Sequence, residues 1–272
     1  MNRTPQNFDP RQTMSDKNYE VFYYKDPKPA DVEVHHHDFY EVYCLMGGDV
    51  TYWVDGRTYH LRPGDILLIS PLELHKPMVK QGAPYERLVL WIKRSYLDNI
   101  FQGALNKCFH EISNHFHGGS INTLLSDLYS ESYSSKYGAE IASSGLFLQL
   151  MVELNRLSPV GTYHSASSQL IGDILEYINV HYSENLSLDA ISQVFHMSKY
   201  HLSHKFKDET GTSLYHYITL KRLAAARQLL INGTPPGEAC IACGFRDYTV
   251  FYKAFKNEYG SSPVLVNQIT EE

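Results

Sequence analysis

A stretch near the C-terminus repeats itself and so limits the folds that this chain can adopt. The segment YHLSHKFKDETGTS (200–213) aligns with TVFYKAFKNEYGSS (249–262) at a shift of 49 residues. The aligned pairs include Leu202 with Phe251, Phe206 with Phe255, Lys207 with Lys256 and Gly211 with Gly260. This repeat predicts two copies of one supersecondary unit.

Each copy carries the signals of a short helix, a tight turn and a second helix. The first helices are predicted over 188–195 and 235–242. The second helices begin after Ser198 and Asp247, whose side-chain oxygens can accept hydrogen bonds from the unpaired N–H groups of a helix start. A helix, a turn and a helix form the shape that places its second helix in the major groove of DNA.

The turns contain His196 and Gly244, residue types that tolerate a left-handed backbone. In the second copy, Thr234 followed by Pro235 predicts a helix start with proline at the first helical position. The segment 214–230 (LYHYITLKRLAAARQLL) is rich in helix-forming residues and predicts a rigid strut between the copies. Such a strut would hold two recognition helices roughly 34 Å apart, in successive major grooves.

These segments resemble a known family. CGFRDYTVFYKAFKNEYGSSP (243–263) is similar to the signature of AraC-type transcription regulators. LSLDAISQVFHMSKYHLSHKFKDETGTSLYHYITLKRLAAARQLL (186–230) is similar to the preceding half of the same DNA-binding domain. The resemblance implies sequence-specific binding of promoter DNA.

The resemblance also implies which side chains face DNA. The base-reading residues would be Lys199, Tyr200, Ser203, His204, Tyr248, Thr249, Tyr252 and Lys253, with Lys205, Lys207 and Lys256 suited to phosphates. The opposite, buried face would hold Leu202, Phe206, Phe251 and Phe255. For any single residue of the exposed set, an ordinary solvated position is the alternative.

The charge distribution agrees with a nucleic-acid partner for one part of the chain. The whole chain carries a net charge of −6, yet the segment 196–256 has nine Lys and Arg residues against four Asp and Glu, a net charge of +5. Because DNA binding draws on Lys and Arg set against phosphates, the basic segment predicts one specialised surface. A solvated helical face is the alternative for a charge run of this kind.

The N-terminal part is predicted to be β-structure. Residues 19–93 contain short β-branched and aromatic runs such as YEVFYY, DVTYWV and DILLI, separated by Gly, Pro and Asp. The residues Val54-Asp55-Gly56-Arg57 predict a hairpin, since Asp-Gly accepts the positive φ angles of a two-residue turn. An antiparallel sandwich or small barrel is therefore expected.

Helical spacing follows from about Tyr96, with leucines at 124, 125 and 128 and at 146, 150, 154 and 157. These helices could form a dimer seam or pack against their own chain. The segment SPVGTYHSASS (158–168) is small, polar and interrupted by Pro159 and Gly161, which is typical of a linker.

The N-terminal strands contain two further stretches that resemble a family. HHHDFYEVYCLMGG (35–48) and LRPGDILLISPLELH (61–75) are similar to the two motifs of the cupin barrel, a usual partner of AraC-type DNA-binding domains. We therefore predict a two-domain fold: an N-terminal antiparallel β cupin barrel (a double-stranded β-helix) with a helical extension, and a C-terminal all-α domain with two helix-turn-helix motifs. The predicted boundaries are 1–94 for the sensor barrel, 95–157 for a helical dimerisation or packing region, 158–168 for the linker and 169–272 for the DNA-binding domain.

The histidine-rich motif supplies the candidate ligand site. On a strand, His35, His37, Phe39, Glu41 and Tyr43 would point to one side. In metal-binding cupins the matching positions hold a metal, and here they are His35, His37, Glu41 and His75, a set suited to zinc, iron, manganese or nickel. The candidate effector-binding residues are His35, His37, Phe39, Glu41, Tyr43, Trp53 and His75, which would suit a polyhydroxy ligand.

Three interpretations of this cluster remain open: an effector pocket without metal, a metal in the pocket, and a structural group of histidines. For the whole protein we predict a transcription regulator, not an enzyme, controlled by a small-molecule effector, with a sugar favoured. One alternative is a metal-dependent cupin enzyme fused to a DNA-binding domain. The other is a constitutive DNA-binding protein whose barrel only dimerises.

Composition adds three expectations. The four cysteines are too few for a disulfide framework, and Cys240 and Cys243 form a C-x-x-C predicted to be buried and structural. The sequence has no apolar run approaching the ~20 residues of a membrane-spanning helix, which predicts a cytoplasmic protein without a membrane partner. The expected partners are promoter DNA, the effector, a second copy of the chain and, for an activator, RNA polymerase.

Overall fold

The computed structural model describes residues 4–6, 13–15, 17–27, 32–80, 82, 84–110, 115–157 and 169–268. The chain divides into two compact units, Met1–Val32 with His36–His164 and Glu33–His35 with Ser165–Glu272. The predicted linker over 158–168 lies outside the described residues. Each unit has a hydrophobic core of its own.

The described part of the first unit forms two antiparallel sheets. Its strands are β1 Tyr19–Asp26, β2 Tyr40–Gly47, β3 Val50–Val54, β4 Arg57–Leu61, β5 Asp65–Ile69, β6 His75–Val79, β7 Tyr85–Ile92 and β8 His115–His117. The larger sheet has the order β1-β7-β2-β5-β8 and the smaller one β4-β3-β6. At the predicted hairpin, Asp55 and Gly56 have φ angles of 42° and 86°, which confirms the two-residue turn between β3 and β4.

Apolar and aromatic side chains fill the space between the two sheets. This interior cluster consists of Phe22, Tyr24, Phe39, Tyr43, Leu45, Val50, Tyr52, Val54, Tyr59, Leu61, Leu67, Ile69, Tyr85, Val89 and Trp91. The other face of the larger sheet is also covered, because alternate residues of β2 such as Val42 and Cys44 join a second core with the helices. Strand β2 is therefore apolar almost throughout rather than alternating.

Helices α1 (Arg94–Asn99), α2 (Ser120–Ser132) and α3 (Ala139–Arg156) cover that outer face. Leu125, Leu128, Leu150 and Leu154 are at most 1% exposed, and each buried leucine contributes about 1.5–3 kcal/mol. Four of the predicted leucines thus pack against their own sheet. A dimer contact through these helices would have to use their outer surfaces.

Two predictions for the first unit were wrong. Residues 35–39 do not continue β2, because its neighbour β7 ends at Ile92, opposite Tyr40, and α1 begins at Arg94. The region predicted as helical, 95–157, also contains the strand β8 and two short 3-10 helices, Ile100–Gly103 and Lys107–His110. A strand of three residues is too short to leave a periodic pattern.

Between residues 169 and 268 the second unit consists of helices joined by short turns. Its helices are α4 Gln169–His181, α5 Leu188–Val194, α6 Lys199–Thr210, α7 Leu214–Ile231, α8 Pro236–Ala242, α9 Tyr248–Tyr259 and α10 Pro263–Gln268. The pairs α5–α6 and α8–α9 are the two predicted helix-turn-helix units, and α7 is the predicted strut. These elements and the antiparallel sheets confirm the predicted fold class. None of the described helices is long and apolar enough to cross a membrane.

Local signals explain most helix ends in this unit. The Ser198 and Asp247 side chains accept hydrogen bonds from the amides of His201 and Val250, which confirms both predicted caps. His196 has a φ of 53° in the first turn, as its residue type allowed. Pro235 is the cap rather than the first helical residue of α8; the following Pro236 takes that place because it too needs no N–H partner.

Candidate effector site and DNA interface

The two recognition helices, α6 and α9, separate core from surface as predicted. Leu202, Phe206, Phe251 and Phe255 are completely buried. The predicted DNA-contacting residues are all exposed or partly exposed: Lys199, Tyr200, Ser203, His204, Lys207, Tyr248, Thr249, Tyr252, Lys253 and Lys256. One face of each helix therefore offers hydrogen-bond donors, acceptors and aromatic edges to a partner.

Contacts within these faces position several side chains. The ring of Tyr200 lies 4.2 Å, centroid to centroid, from that of His204 one turn further along α6. Lys199 forms an ion pair with Asp189 of α5. Lys205 pairs with Glu209 at 2.6 Å, so its charge is partly neutralised within α6. Lys199 is likewise paired, so both lysines are weakened as candidates for a phosphate contact.

Val250 belongs to the exposed face of α9 and was missed by the sequence analysis. Its side chain is 50% exposed in the first turn of the helix. An apolar side chain at this place can contact the methyl group of thymine. The internal repeat could have indicated its position, because Val250 aligns with His201, and both residues are exposed.

Inside the barrel, His37, Glu41 and His75 form a buried polar cluster. One ligand atom from each residue lies within 4.8 Å of the others, and the three residues are at most 6% exposed. Glu41 comes from β2, His75 begins β6, and His37 precedes β2. The sheets thus bring together three of the four residues of the predicted metal set.

The hydrogen bonds fix how the two rings face the cluster. Carbonyl oxygens of Phe39 and Glu73 lie 2.9 Å and 2.7 Å from Nδ1 of His37 and His75. Because a carbonyl only accepts, both Nδ1 atoms carry hydrogen, and each ring turns Nε2 inward. Nε2 of His37 lies 3.2 Å from Oε2 of Glu41. A proton shared by ring and carboxylate, or a metal ion between them, would complete this contact.

Aromatic side chains surround the cluster. Phe39 stacks on His37 with ring centroids 3.8 Å apart, and Trp91 donates from Nε1 to Oε2 of Glu41 at 2.9 Å. Burial, followed by the negative charge of Glu41, raises the pKa of Tyr52 well above its usual value, so its hydroxyl stays a donor. Tyr52 and Trp91 were not predicted, because both faces of β3 and β7 are largely buried and the sequence does not mark the inward side.

Two predicted effector-binding residues lie elsewhere. His35 is outside the cluster, and its Nδ1 lies 2.9 Å from the carbonyl oxygen of Glu33. Trp53 is 1% exposed but lies on the face of β3 opposite to Val50, Tyr52 and Val54, which enter the interior cluster. The assignment of Trp53 was one residue out of register because both faces of β3 are buried.

A second polar group, which was not predicted, consists of side chains from the neighbouring strands β1 and β7. The buried Arg87 donates to Asp26 at 2.6 Å, and its guanidinium carbon lies 4.0 Å from the ring centroid of Tyr85. Tyr43, a predicted effector contact, donates to the hydroxyl oxygen of Tyr85 at 2.8 Å. Burial raises the pKa of Tyr85 to about 12. The interior therefore holds charged groups in two places within an aromatic lining.

The C-x-x-C pair is buried as predicted. Cys240 and Cys243 are at most 3% exposed. Burial, together with the neighbouring Cys240, raises the pKa of Cys243 to about 11. Both residues belong to the core of α7 to α10, so they act as apolar side chains.

Comparison with known proteins covers both units. Residues 19–151 match the AraC-like ligand binding domain, and residues 191–267 match a helix-turn-helix domain. The chain is 23% identical over 250 residues to the HTH-type transcriptional activator RhaS of Escherichia coli, covering 88% of each protein. It is 26% identical over 224 residues to the uncharacterized HTH-type transcriptional regulator YbfI of Bacillus subtilis, covering 78% of each.

Among solved structures, the C-terminal domain of AraT, a response regulator from Geobacillus stearothermophilus, is 28% identical and covers 38% of this chain and 87% of that chain, with a TM-score of 0.37. The two matched domains follow one another in the order expected from the sequence. The chain therefore belongs to the AraC family of transcription regulators, with a ligand-binding domain ahead of its helix-turn-helix DNA-binding domain.

Proposed function

We propose that this regulator binds promoter DNA through α6 and α9 and that a carbohydrate bound inside the barrel controls that binding. The observation that carries the proposal is the buried group His37, Glu41 and His75 within an aromatic interior. Polar side chains that converge within an aromatic interior are typical of a small-molecule site, and a ligand rich in hydroxyl groups could contact several of them at once.

The chemistry of the interior favours a sugar over a purely apolar effector. Glu41 accepts hydrogen bonds, and the buried hydroxyl of Tyr52 stays protonated and is a donor. The hydroxyl of Tyr43 donates to Tyr85, so its oxygen can accept. Phe39 and Trp91 offer flat apolar surfaces, with ring centroids 4.7 Å apart, against which the C–H face of a sugar ring can pack. A carboxylate, hydroxyls and aromatic faces together match a polyhydroxy ring.

Control of transcription requires that the effector bind two states of the protein with different affinities. We propose that these states differ in how a homodimer presents its helix-turn-helix units to DNA. The protein would act in the cytoplasm, binding the effector without transforming it, and as an activator it would also contact RNA polymerase.

The test is thermal unfolding of the untagged full-length protein against a panel of sugars and sugar phosphates, with and without a chelator. A ligand at a hundredfold its dissociation constant stabilises the folded state by about 2.7 kcal/mol. We expect one sugar to raise the melting temperature of the wild type but not of Glu41→Gln. The matched control is Asp49→Asn, because Asp49 is an exposed carboxylate paired with Lys80. A panel without any stabilising sugar would contradict the proposal.

A second candidate is a divalent transition metal at the same cluster. Two inward-facing imidazole nitrogens and one carboxylate fit the donor set of zinc, iron, manganese or nickel. His37, Glu41 and His75 would hold the ion, which would supply a Lewis acid and allow the alternative of a cupin enzyme. Stoichiometric metal in the purified protein, with a melting temperature that falls on chelation, would favour this candidate; turnover of a substrate would favour the enzyme.

A further inference from the structure

The two helix-turn-helix units are connected by one continuous helix, α7. Its 18 residues span about 27 Å at 1.5 Å per residue. Near its start, Tyr217 packs edge-on against Phe206 of α6, with centroids 5.6 Å apart. Further along, Leu223, Ala226 and Leu230 join the core of α8 to α10. Any change in the angle between the two helix-turn-helix motifs would therefore move one recognition helix relative to the other.

Arg222 lies midway along α7 and contacts the turn that leads into the first helix-turn-helix motif and the turn within the second. Its Nε and Nη2 atoms donate to the carbonyl oxygens of Tyr182 and Glu184, each at 2.7 Å, in the turn that follows α4. Its guanidinium carbon also lies 5.9 Å from the ring centroid of Phe245, in the turn between α8 and α9. The planar guanidinium can hold two acceptors in a fixed geometry, which a lysine ammonium cannot do.

Gly244, beside Phe245, packs directly against the same turn. A Cβ atom at Gly244 would lie 2.5 Å from the carbonyl oxygen of Ser183, the residue between the two that Arg222 binds. Its φ angle of 82° also favours glycine. In the first helix-turn-helix motif, the turn between α5 and α6 contains His196, which has a φ of 53°. A positive φ in this turn therefore does not by itself exclude a side chain. The close approach to Ser183 is therefore the stricter requirement at Gly244.

These contacts form a localised joint, defined here as Tyr182–Glu184, Arg222, Gly244 and Phe245. Next to it lies a cleft of about 610 Å³ whose lining includes Tyr215, Ile241 and Val250. Burial lowers the pKa of Arg222, and the nearby charge of Arg246 acts in the same direction. Arg222 is thus held in a partly desolvated position between the two helix-turn-helix motifs.

We infer that this joint fixes the separation and orientation of α6 and α9, so that Arg222 and Gly244 determine which spacing of half-sites on DNA the protein accepts. Adding one base pair between two contacted segments moves them apart by roughly 3.4 Å and rotates them by about a tenth of a turn. A rigid pair of recognition helices cannot follow this shift and therefore binds the longer duplex with lower affinity. A loosened pair can adjust its separation and keeps more of its affinity. Arg222 and Gly244 are positioning residues and need not touch DNA.

The experiment begins with a duplex that the full-length wild type selects from a random-sequence pool. Footprinting locates the two contacted segments, and a second duplex carries one extra base pair between them. The readout is the ratio of the dissociation constants for the two duplexes. We expect the ratio to be at least about tenfold for the wild type, equivalent to 1.4 kcal/mol, and about threefold or less for Arg222→Lys and Gly244→Ala.

The matched control is Arg227→Lys, which makes the same change on the same helix. Arg227 lies over the ring of Tyr259 and outside the joint, so this variant should keep the wild-type ratio. Arg222→Lys keeps the charge, and its thermal unfolding shows whether it folds even if Gly244→Ala does not. Equal weakening on both duplexes with an unchanged ratio would overturn the inference, as would a wild type that does not distinguish the duplexes.

Discussion

The two units place their functional side chains in opposite environments. In the barrel, His37, Glu41 and His75 are at most 6% exposed and are linked to neighbouring rings and carbonyl groups. On the recognition helices, Tyr200 is 75% exposed and Tyr248 is 42% exposed. The candidate site in the barrel is therefore part of the folded core, whereas the predicted DNA interface is a surface supported by a separate core.

This difference has an energetic consequence. A buried polar group that loses its partner costs about 1–3 kcal/mol, so a change in the barrel site should alter both ligand binding and stability. An exposed side chain changes stability by less than about 0.5 kcal/mol in most cases. Function and stability should therefore be coupled in the first unit and separable in the second.

The largest expected effect tests that separation at two adjacent residues of α9. Phe251 is completely buried, whereas Tyr252 is partly exposed on the predicted DNA-contacting face. Phe251→Ala should lower the stability of the second unit by about 3–5 kcal/mol through lost burial and the cavity left behind. Urea unfolding followed by far-UV circular dichroism measures this loss, and Tyr252→Ala is the control. Similar losses in the two variants would show that core and interface are not separate in α9.

The sequence predicts the exposed recognition helices better than the buried site in the barrel. On α6 and α9 the family resemblance assigned Leu202, Phe206, Phe251 and Phe255 to the core, and these residues are buried because the helical period puts them on one face. The caps at Ser198 and Asp247 were also predictable, since they depend on local hydrogen bonds. Arg222 was not singled out, because its acceptors lie 40 and 38 residues away in the chain.

In the barrel the sequence predicted the fold and all three residues of the cluster, but it wrongly added His35 and did not predict the register of β3. Both faces of β2 and β3 are buried, so no polar and apolar alternation marks the inward side. Trp53 was therefore chosen in place of Tyr52. Residues 35–39 were predicted to continue β2, but the end of β7 at Ile92 leaves β2 to begin at Tyr40. Pairing between distant strands, which local sequence does not encode, decided both points.

The second prediction tests the coupling of function and stability in the barrel. Glu41→Gln keeps the side-chain volume but removes the negative charge that lies beside the Trp91 indole N–H and the Nε2 atom of His37. We expect the first unit to lose about 1–3 kcal/mol of unfolding free energy. Both tryptophans of the chain, Trp53 and Trp91, lie in this unit, so their fluorescence during urea unfolding reports on it. Asp49→Asn should change little, and an equally small change in Glu41→Gln would show that the cluster does not support the fold.

The third prediction concerns an exposed residue of the DNA interface. Lys253→Ala should weaken binding to a wild-type-selected duplex by about tenfold, or 1.4 kcal/mol, with an unchanged melting temperature. Lys80→Ala removes the same charge from the surface of the first unit and is the control. A gel-shift titration at two salt concentrations measures both variants. Unchanged affinity of Lys253→Ala would remove this residue from the interface.

The smallest effect is expected at a second buried carboxylate of the barrel, Asp65 of β5. Its oxygens accept hydrogen bonds from the Arg62 amide at 2.9 Å and lie 3.0 Å and 2.7 Å from the rings of His115 and His117. Burial alone would raise the pKa of Asp65, but these contacts together lower it. The stability that Asp65 contributes is therefore present above its unfolded pKa of about 3.9 and is lost as the pH falls through its lower folded value.

Asp65→Asn should consequently be less stable than the wild type above about pH 4, and the difference should shrink as the pH falls further. Urea midpoints from tryptophan fluorescence at several pH values measure the difference, with Asp49→Asn as the exposed control. A difference that stays constant across this range would mean that Asp65 acts through packing and not through its charge. The effect stays small because Phe116, 1% exposed, also anchors β8 to the sheet and does not titrate.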